Sequence, residues 1–137
     1  MANAIYNKFK EQLLQGGINL STANVKLVAV DTAGGTNYVF SQAHEFLSSV
    51  AAGSRRSTSG NLASKTFTDG VFDSADLAAA FASLSGGAVE AVVAYVDTGV
   101  DATSRLIVYY DTGGGLPFTP TGNNVDITIA AGGLLAL

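Results

Sequence analysis

Residues 88–116 read AVEAVVAYVDTGVDATSRLIVYYDTGGGL, and this stretch decides the fold. Val89 to Val96 is nearly all apolar, Arg105 to Tyr110 (RLIVYY) is apolar after its first residue, and the short polar run Thr98 to Ser104 separates them. Two such runs joined by a short polar loop predict an antiparallel hairpin. Strands that are apolar at consecutive positions are covered on both faces. The hairpin therefore asks for a second sheet or a neighbouring subunit.

The same stretch contains Asp-Thr-Gly twice, at 97–99 and 111–113. Catalysis by a carboxylate pair requires the two groups to lie about 3 Å apart and share a proton. In the predicted hairpin Asp97 falls opposite Arg105 and Asp111 opposite Ala91. Six strand residues at about 3.3 Å each then put the carboxylates about 20 Å apart. An intrachain dyad is excluded, and the tripeptides read as turn chemistry: Asp accepts nearby backbone N–H groups and Gly takes a positive backbone angle. An Asp97–Arg105 cross-strand ion pair is expected, worth about 0.2–1 kcal/mol. A dimeric enzyme using Asp97 alone, with its DTGVDAT run, would also need a downstream apolar-Gly segment and a helix, and neither is evident after Asp97.

Working outward, the 137 residues suit one compact domain. It is expected to comprise an N-terminal helical arm over 1–17 and a β-sandwich over 25–137. Hydrophobic residues make up 47% of the chain and charged ones 13%, about half the charge of an ordinary domain. Much of the surface is thus expected to be covered by copies of the chain or by a larger partner. Cysteine is absent, which removes disulfides and thiolate metal sites. A net charge of −4 with seven scattered Lys and Arg argues against nucleic acid as a partner. No apolar run approaches a membrane span, and the first residues lack a signal-peptide core, so a protein made and assembled without secretion is expected.

Ala4 to Gln15 predicts a helix, with Ile5, Phe9 and Leu13 in one apolar stripe, Asn3 as cap and Gly16-Gly17 as terminator. The stripe packs on the chain's own sheet or docks on a neighbouring subunit. Val25 to Val30 predicts a strand, Asp31 to Gly35 its turn, and Tyr38 to Phe40 a short second strand. Ser41 reads as the cap of a brief helix, Gln42 to Ser49. That segment carries the single histidine, His44, which has no second His or Cys with which to bind metal. Asp97, Asp101 and Thr103 lack the ligand alternation of a calcium loop. No metal, cofactor or catalytic residue is expected.

Ala52 to Gly60 is small and polar and predicts an exposed loop, with Arg55 and Arg56 available for intersubunit pairs to carboxylates. Leu62 to Thr68 predicts a strand that turns through Asp69-Gly70 into Val71-Phe72. Ser74 to Leu84 fits a helix by propensity, while its place among hairpins fits a strand. Pro117 and Pro120 keep their segment out of a central ladder, Val125 to Ile129 alternates as a last strand, and the apolar tail Leu134 to Leu137 should be tucked away.

Several of these segments resemble small structural proteins of tailed-bacteriophage particles, of the capsid decoration or cement type. The resemblance rests on NLASKTFTDGVF at 61–72, VEAVVAYVD at 89–97, TSRLIVYYD at 103–111, GLPFTP at 115–120, DITI at 126–129 and the Ala-His-Glu-Phe-Leu run at 43–47. It implies a mainly β fold: an antiparallel, jelly-roll-like β-sandwich with an N-terminal α-helix and one short additional helix, and Ser74 to Leu84 extended. It further implies a homotrimer on the capsid exterior that bridges major capsid protein subunits. The contact surfaces would be the helix stripe (Ile5, Phe9, Leu13) and the Ser54 to Gly60 loop with Arg55 and Arg56. A neck, tail or fibre component is the alternative within the particle, and a dimeric hydrolase using Asp97 the alternative outside it.

Overall fold

The structure, a computed structural model, describes residues 3–33, 37–113, 115–130 and 132–137. Its elements in chain order are β1 (Ala4–Ile5), α1 (Asn7–Gln15), β2 (Val25–Val30), β3 (Arg55–Thr58), β4 (Thr66–Thr68), β5 (Val71–Asp73), β6 (Leu77–Phe81), β7 (Ala91–Val96), β8 (Leu106–Tyr110), β9 (Val125–Ile127) and β10 (Leu135–Ala136). Short 3-10 turns occupy Leu47–Ser49 and Ala52–Ser54. The fold is mainly β and antiparallel throughout, as expected.

The predicted hairpin, β7 and β8, lies at the centre of a five-stranded sheet ordered β1-β8-β7-β2-β3. Its register places Leu27, Ala29, Val92, Val108 and Tyr110 on one face and Val28, Val30, Val93, Tyr95 and Tyr109 on the other. Both faces are covered, which is what the unbroken apolar runs require. The first face looks onto Phe81, Ile127 and Leu134, from β6, β9 and the approach to β10, in a sandwich-like arrangement. On the second face the Phe40 ring stacks on Tyr109 at 4.4 Å, and the segment carrying Leu47 and Val50 closes over the sheet. Val25, Val28, Val30, Val93, Leu106 and Ile107 are sealed from solvent. Each such side chain contributes about 1.5–3 kcal/mol by burial.

Pairing partners override local propensity at several points. Helix α1 starts at Asn7 rather than Ala4, because Ala4 and Ile5 pair with Tyr109 and Val108. Asn3 does not cap it; the Asn3 Oδ1 instead accepts from the backbone N–H groups of Asp111 and Thr112 at 2.8 and 3.1 Å. Gly16 ends the helix in the left-handed conformation, φ 73°. Residues 52–60 are not an open loop. A 3-10 turn leads into β3, which pairs with β2, and beyond it the Ser59 hydroxyl accepts from Leu27 N–H at 2.9 Å. Tyr38 to Phe40 forms no strand, and the helix expected at Gln42 to Ser49 is a turn followed by three 3-10 residues. Gly34 and Gly35 of the expected turn after β2, and Gly114 of the glycine run, lie outside the described residues.

Leu77 to Phe81 is extended, although its three alanines favour helix. Leu77 and Phe81 pair with Ile127 and Val125, and the extra residues bulge out around Ala79, whose N–H donates to Asp126 Oδ1 at 2.6 Å. Of the stretch from Leu62 to Thr68, only Thr66–Thr68 is strand. It turns through Asp69 and Gly70, both at positive φ (53° and 78°), into β5, the geometry of a tight two-residue hairpin. Only the first half of the apolar tail is tucked in: Leu134 and Leu135 are buried, with Leu135 opposite Phe72 in β10, whereas Leu137 stays exposed.

Candidate interaction surface

The two Asp-Thr-Gly tripeptides sit at opposite ends of the β7–β8 hairpin, each just past the end of its strand. The six residues of β7 correspond to about 20 Å between them. The Asp97 carboxylate accepts from Gly99 N–H at 3.0 Å and lies 2.8 Å from Lys26 Nζ. The Lys26 contact, aided by the Gly99 bond, holds Asp97 below the usual carboxylate range. Such a group is a poor proton acceptor. The expected Asp97–Arg105 pair does not form, because Ile107 is an extra residue in β8 and shifts the register by one between Ala94 and Tyr95. Arg105 instead reaches Glu45 at 2.9 Å and lies 4.7 Å above the Phe46 ring.

Asp101 and Thr103, the other oxygen donors of that loop, are also engaged. Asp101 pairs with Arg55 at 2.8 Å, and the Thr103 hydroxyl lies 2.6 Å from that of Thr98. His44 Nδ1 is 2.7 Å from the Tyr38 hydroxyl, which is 3.0 Å from the Tyr6 hydroxyl. Burial lowers the His44 pKa and raises those of both tyrosines. This chain of three polar groups ties the start of α1 to the segment covering the sheet. Among the described residues no cluster of three or more His, Asp or Glu side chains gathers at metal-binding range, and no helix is long and apolar enough to cross a membrane.

The residues expected to contact a partner divide sharply. Phe9 is wholly buried in the chain's own core, Ile5 belongs to β1, and Leu13 is half-buried. Arg55 and Arg56 face inward. Arg55 donates to the carbonyls of Val50 and Leu47 at 2.7 and 2.8 Å besides pairing with Asp101. Arg56 donates to the carbonyls of Ser85 and Gly87 at 3.3 and 3.1 Å, with Asp31 3.8 Å away. The two guanidinium groups thus fasten the edge strand β3 to loops on opposite faces of the sheet.

Exposed apolar surface lies elsewhere. Leu13 borders a groove of about 430 Å³ with Ile18, Phe67, Phe72, Leu135 and Leu137. Phe67 is 46% exposed and Leu137 75%, while Leu14, on the adjoining helix, is 90% exposed. Phe67 carried a faint sequence signal, a single aromatic between two threonines, and Leu137 a plainer one. A second, larger cleft of about 520 Å³ lies between the five-stranded sheet and the β6–β9 pair, lined by Leu27, Val92, Tyr110, Phe118, Ile127 and Leu134. No protein-family model matches the chain, and a search of curated proteins found no match either.

Proposed function

We propose that this protein is a structural component of a tailed-phage particle that decorates the capsid exterior and cements neighbouring major capsid protein subunits. It would act as a homo-oligomer, with a trimer as the expected form, and perform no catalysis. The observation that carries the reading is the exposed apolar groove of Leu13, Ile18, Phe67 and Leu137. It lies on a fold whose Asp97, Asp101, Arg55 and Arg105 are all engaged within the chain. Chemistry-bearing side chains committed to internal ion pairs suit a rigid building block, and an uncovered apolar strip suits assembly. The strand and turn motifs that resemble decoration proteins point the same way. On this reading the contact surface is this groove together with Leu14, while Arg55 and Arg56 hold the fold.

Quantitative mass spectrometry of purified particles tests the reading. A copy number comparable to that of the major capsid protein is expected. A number matching a single ring would assign the chain to the neck, tail or fibre instead, and absence from the particle would refute the proposal altogether.

A further inference from the structure

We propose that the open edge of β4 is a two-fold contact between two copies of this chain. The inference rests on strand geometry and stands independently of the particle assignment. β4 is the outermost strand of the sheet ordered β10-β5-β4, and Thr66, Phe67 and Thr68 are all exposed. In the tight β4–β5 hairpin, Thr68 lies opposite Val71 and Phe67 opposite Phe72. The pair flanking a two-residue turn exchanges its hydrogen bonds, so the next pair points its backbone groups outward. Phe72 obeys this alternation: its carbonyl, turned away from β4, accepts from Leu134 N–H at 2.7 Å. The N–H and C=O of Phe67 therefore face the open side, and among the described residues they meet no partner.

Edge strands are ordinarily protected by charge, proline or a bulge. Thr-Phe-Thr has none of these. The edge is also self-complementary. Antiparallel pairing of Phe67 with Phe67 of a second copy lets the two residues exchange both of their unused hydrogen bonds. It sets Thr66 opposite Thr68 of that copy, a pair of β-branched side chains, and Lys65 opposite Asp69, a pair of opposite charges. Within the chain the Lys65 ammonium donates to the carbonyls of Leu20 and Ala23. The Phe67 ring already stacks on Phe72 at 5.1 Å on the rim of the apolar groove. The second Phe67 would cover what is now open. Because such a contact is isologous, it joins one copy to one other and does not close a trimer. On a shell it would link neighbouring oligomers.

Sedimentation of the purified chain from about 1 μM to about 1 mM, with amide exchange at Phe67, tests the contact. The mass should rise with concentration by the equivalent of one β4-mediated pairing, and Phe67 N–H exchange should slow by about tenfold or more as it does. Phe67→Pro removes the outward donor without breaking a β4–β5 bond, and Phe67→Lys sets like charges face to face. Both should abolish this association with an unchanged circular dichroism spectrum. If Phe67→Pro disturbs the hairpin, Phe67→Lys decides, since its side chain lies on the surface. A wild-type chain that never shows this pairing step overturns the proposal, as does a pairing step that survives both variants or leaves Phe67 exchange unchanged. None of these failures alters the particle copy number on which the functional reading stands.

Discussion

Arg55 offers the sharpest test of how this fold is held together. Its guanidinium donates to the carbonyls of Val50 and Leu47 and pairs with Asp101, while its side chain is only 18% exposed. A hydrogen bond from a charged donor contributes about 1.5 kcal/mol at the lower end. The two carbonyl bonds together thus contribute about 3 kcal/mol. The Asp101 side chain is 54% exposed, so that ion pair adds less than about 1 kcal/mol. Arg55→Ala should therefore cost about 3 kcal/mol, which for a chain of this length lowers Tm by about 6–12 °C. Asp101→Ala should cost under about 1 kcal/mol. Arg55→Lys keeps the charge but lacks the planar fork that reaches three acceptors, and should recover only part of the loss. Urea unfolding followed by circular dichroism measures all three. If Arg55→Ala and Asp101→Ala agree within about 0.5 kcal/mol, the carbonyl bonds contribute nothing and the reasoning fails. An exposed loop over 52–60 would leave the isolated fold indifferent to the loss of Arg55 and Arg56; their bonds to carbonyls of the chain predict that it is not.

Three further outcomes follow from the same structure. Asp97 has a depressed folded pKa, so its contribution to stability is present above the ordinary value of 3.8 and is lost as pH falls through the folded value. Asp97→Asn should remove that part of the acid limb in pH-dependent unfolding, and a peptide-cleavage assay should find no activity in either protein. Cleavage by wild type that disappears in the variant would revive the hydrolase alternative. His44 is likewise depressed, by burial, so its stability contribution is present above 6.5 and is lost as pH falls through the folded value. Its NMR titration midpoint should lie below 6.5, and His44→Gln should flatten the stability slope in that window. Gly133 has φ 85°, and an added Cβ would lie 2.8 Å from the Phe72 carbonyl oxygen. Gly133→Ala should destabilise by more than about 2 kcal/mol in urea unfolding, whereas Gly99→Ala, at a similar φ but facing open space, should cost about 1–2 kcal/mol.

The central hairpin, β2, the Asp69-Gly70 turn, the Gly16 helix end and the docked first half of the tail were all legible in the chain. In each of these places a short-range signal, an apolar run or a glycine at a turn, coincides with the final structure. β3 was not legible, because RRST has neither alternation nor apolar content. It is a strand because β2 offers a free edge and two arginines find carbonyls on either face. The inward bonds of Arg55 and Arg56 and the burial of Phe9 were hidden for a related reason: an apolar stripe or an arginine pair in sequence does not say whether its partner lies inside or outside the chain.

By itself, the sequence determined that the protein is mainly β, that its core is the hairpin around 88–116, and that the two Asp-Thr-Gly motifs stand too far apart to work together. Those conclusions depend on strand periodicity and chain length, which are local quantities. Only the tertiary structure decided which charges meet. One extra residue, Ile107, shifts the register so that Asp97 pairs with Lys26 and Arg105 with Glu45. Ion pairs depend on positions across strands and loops that are distant in sequence, and a displacement of about 3.3 Å along one strand is enough to exchange them.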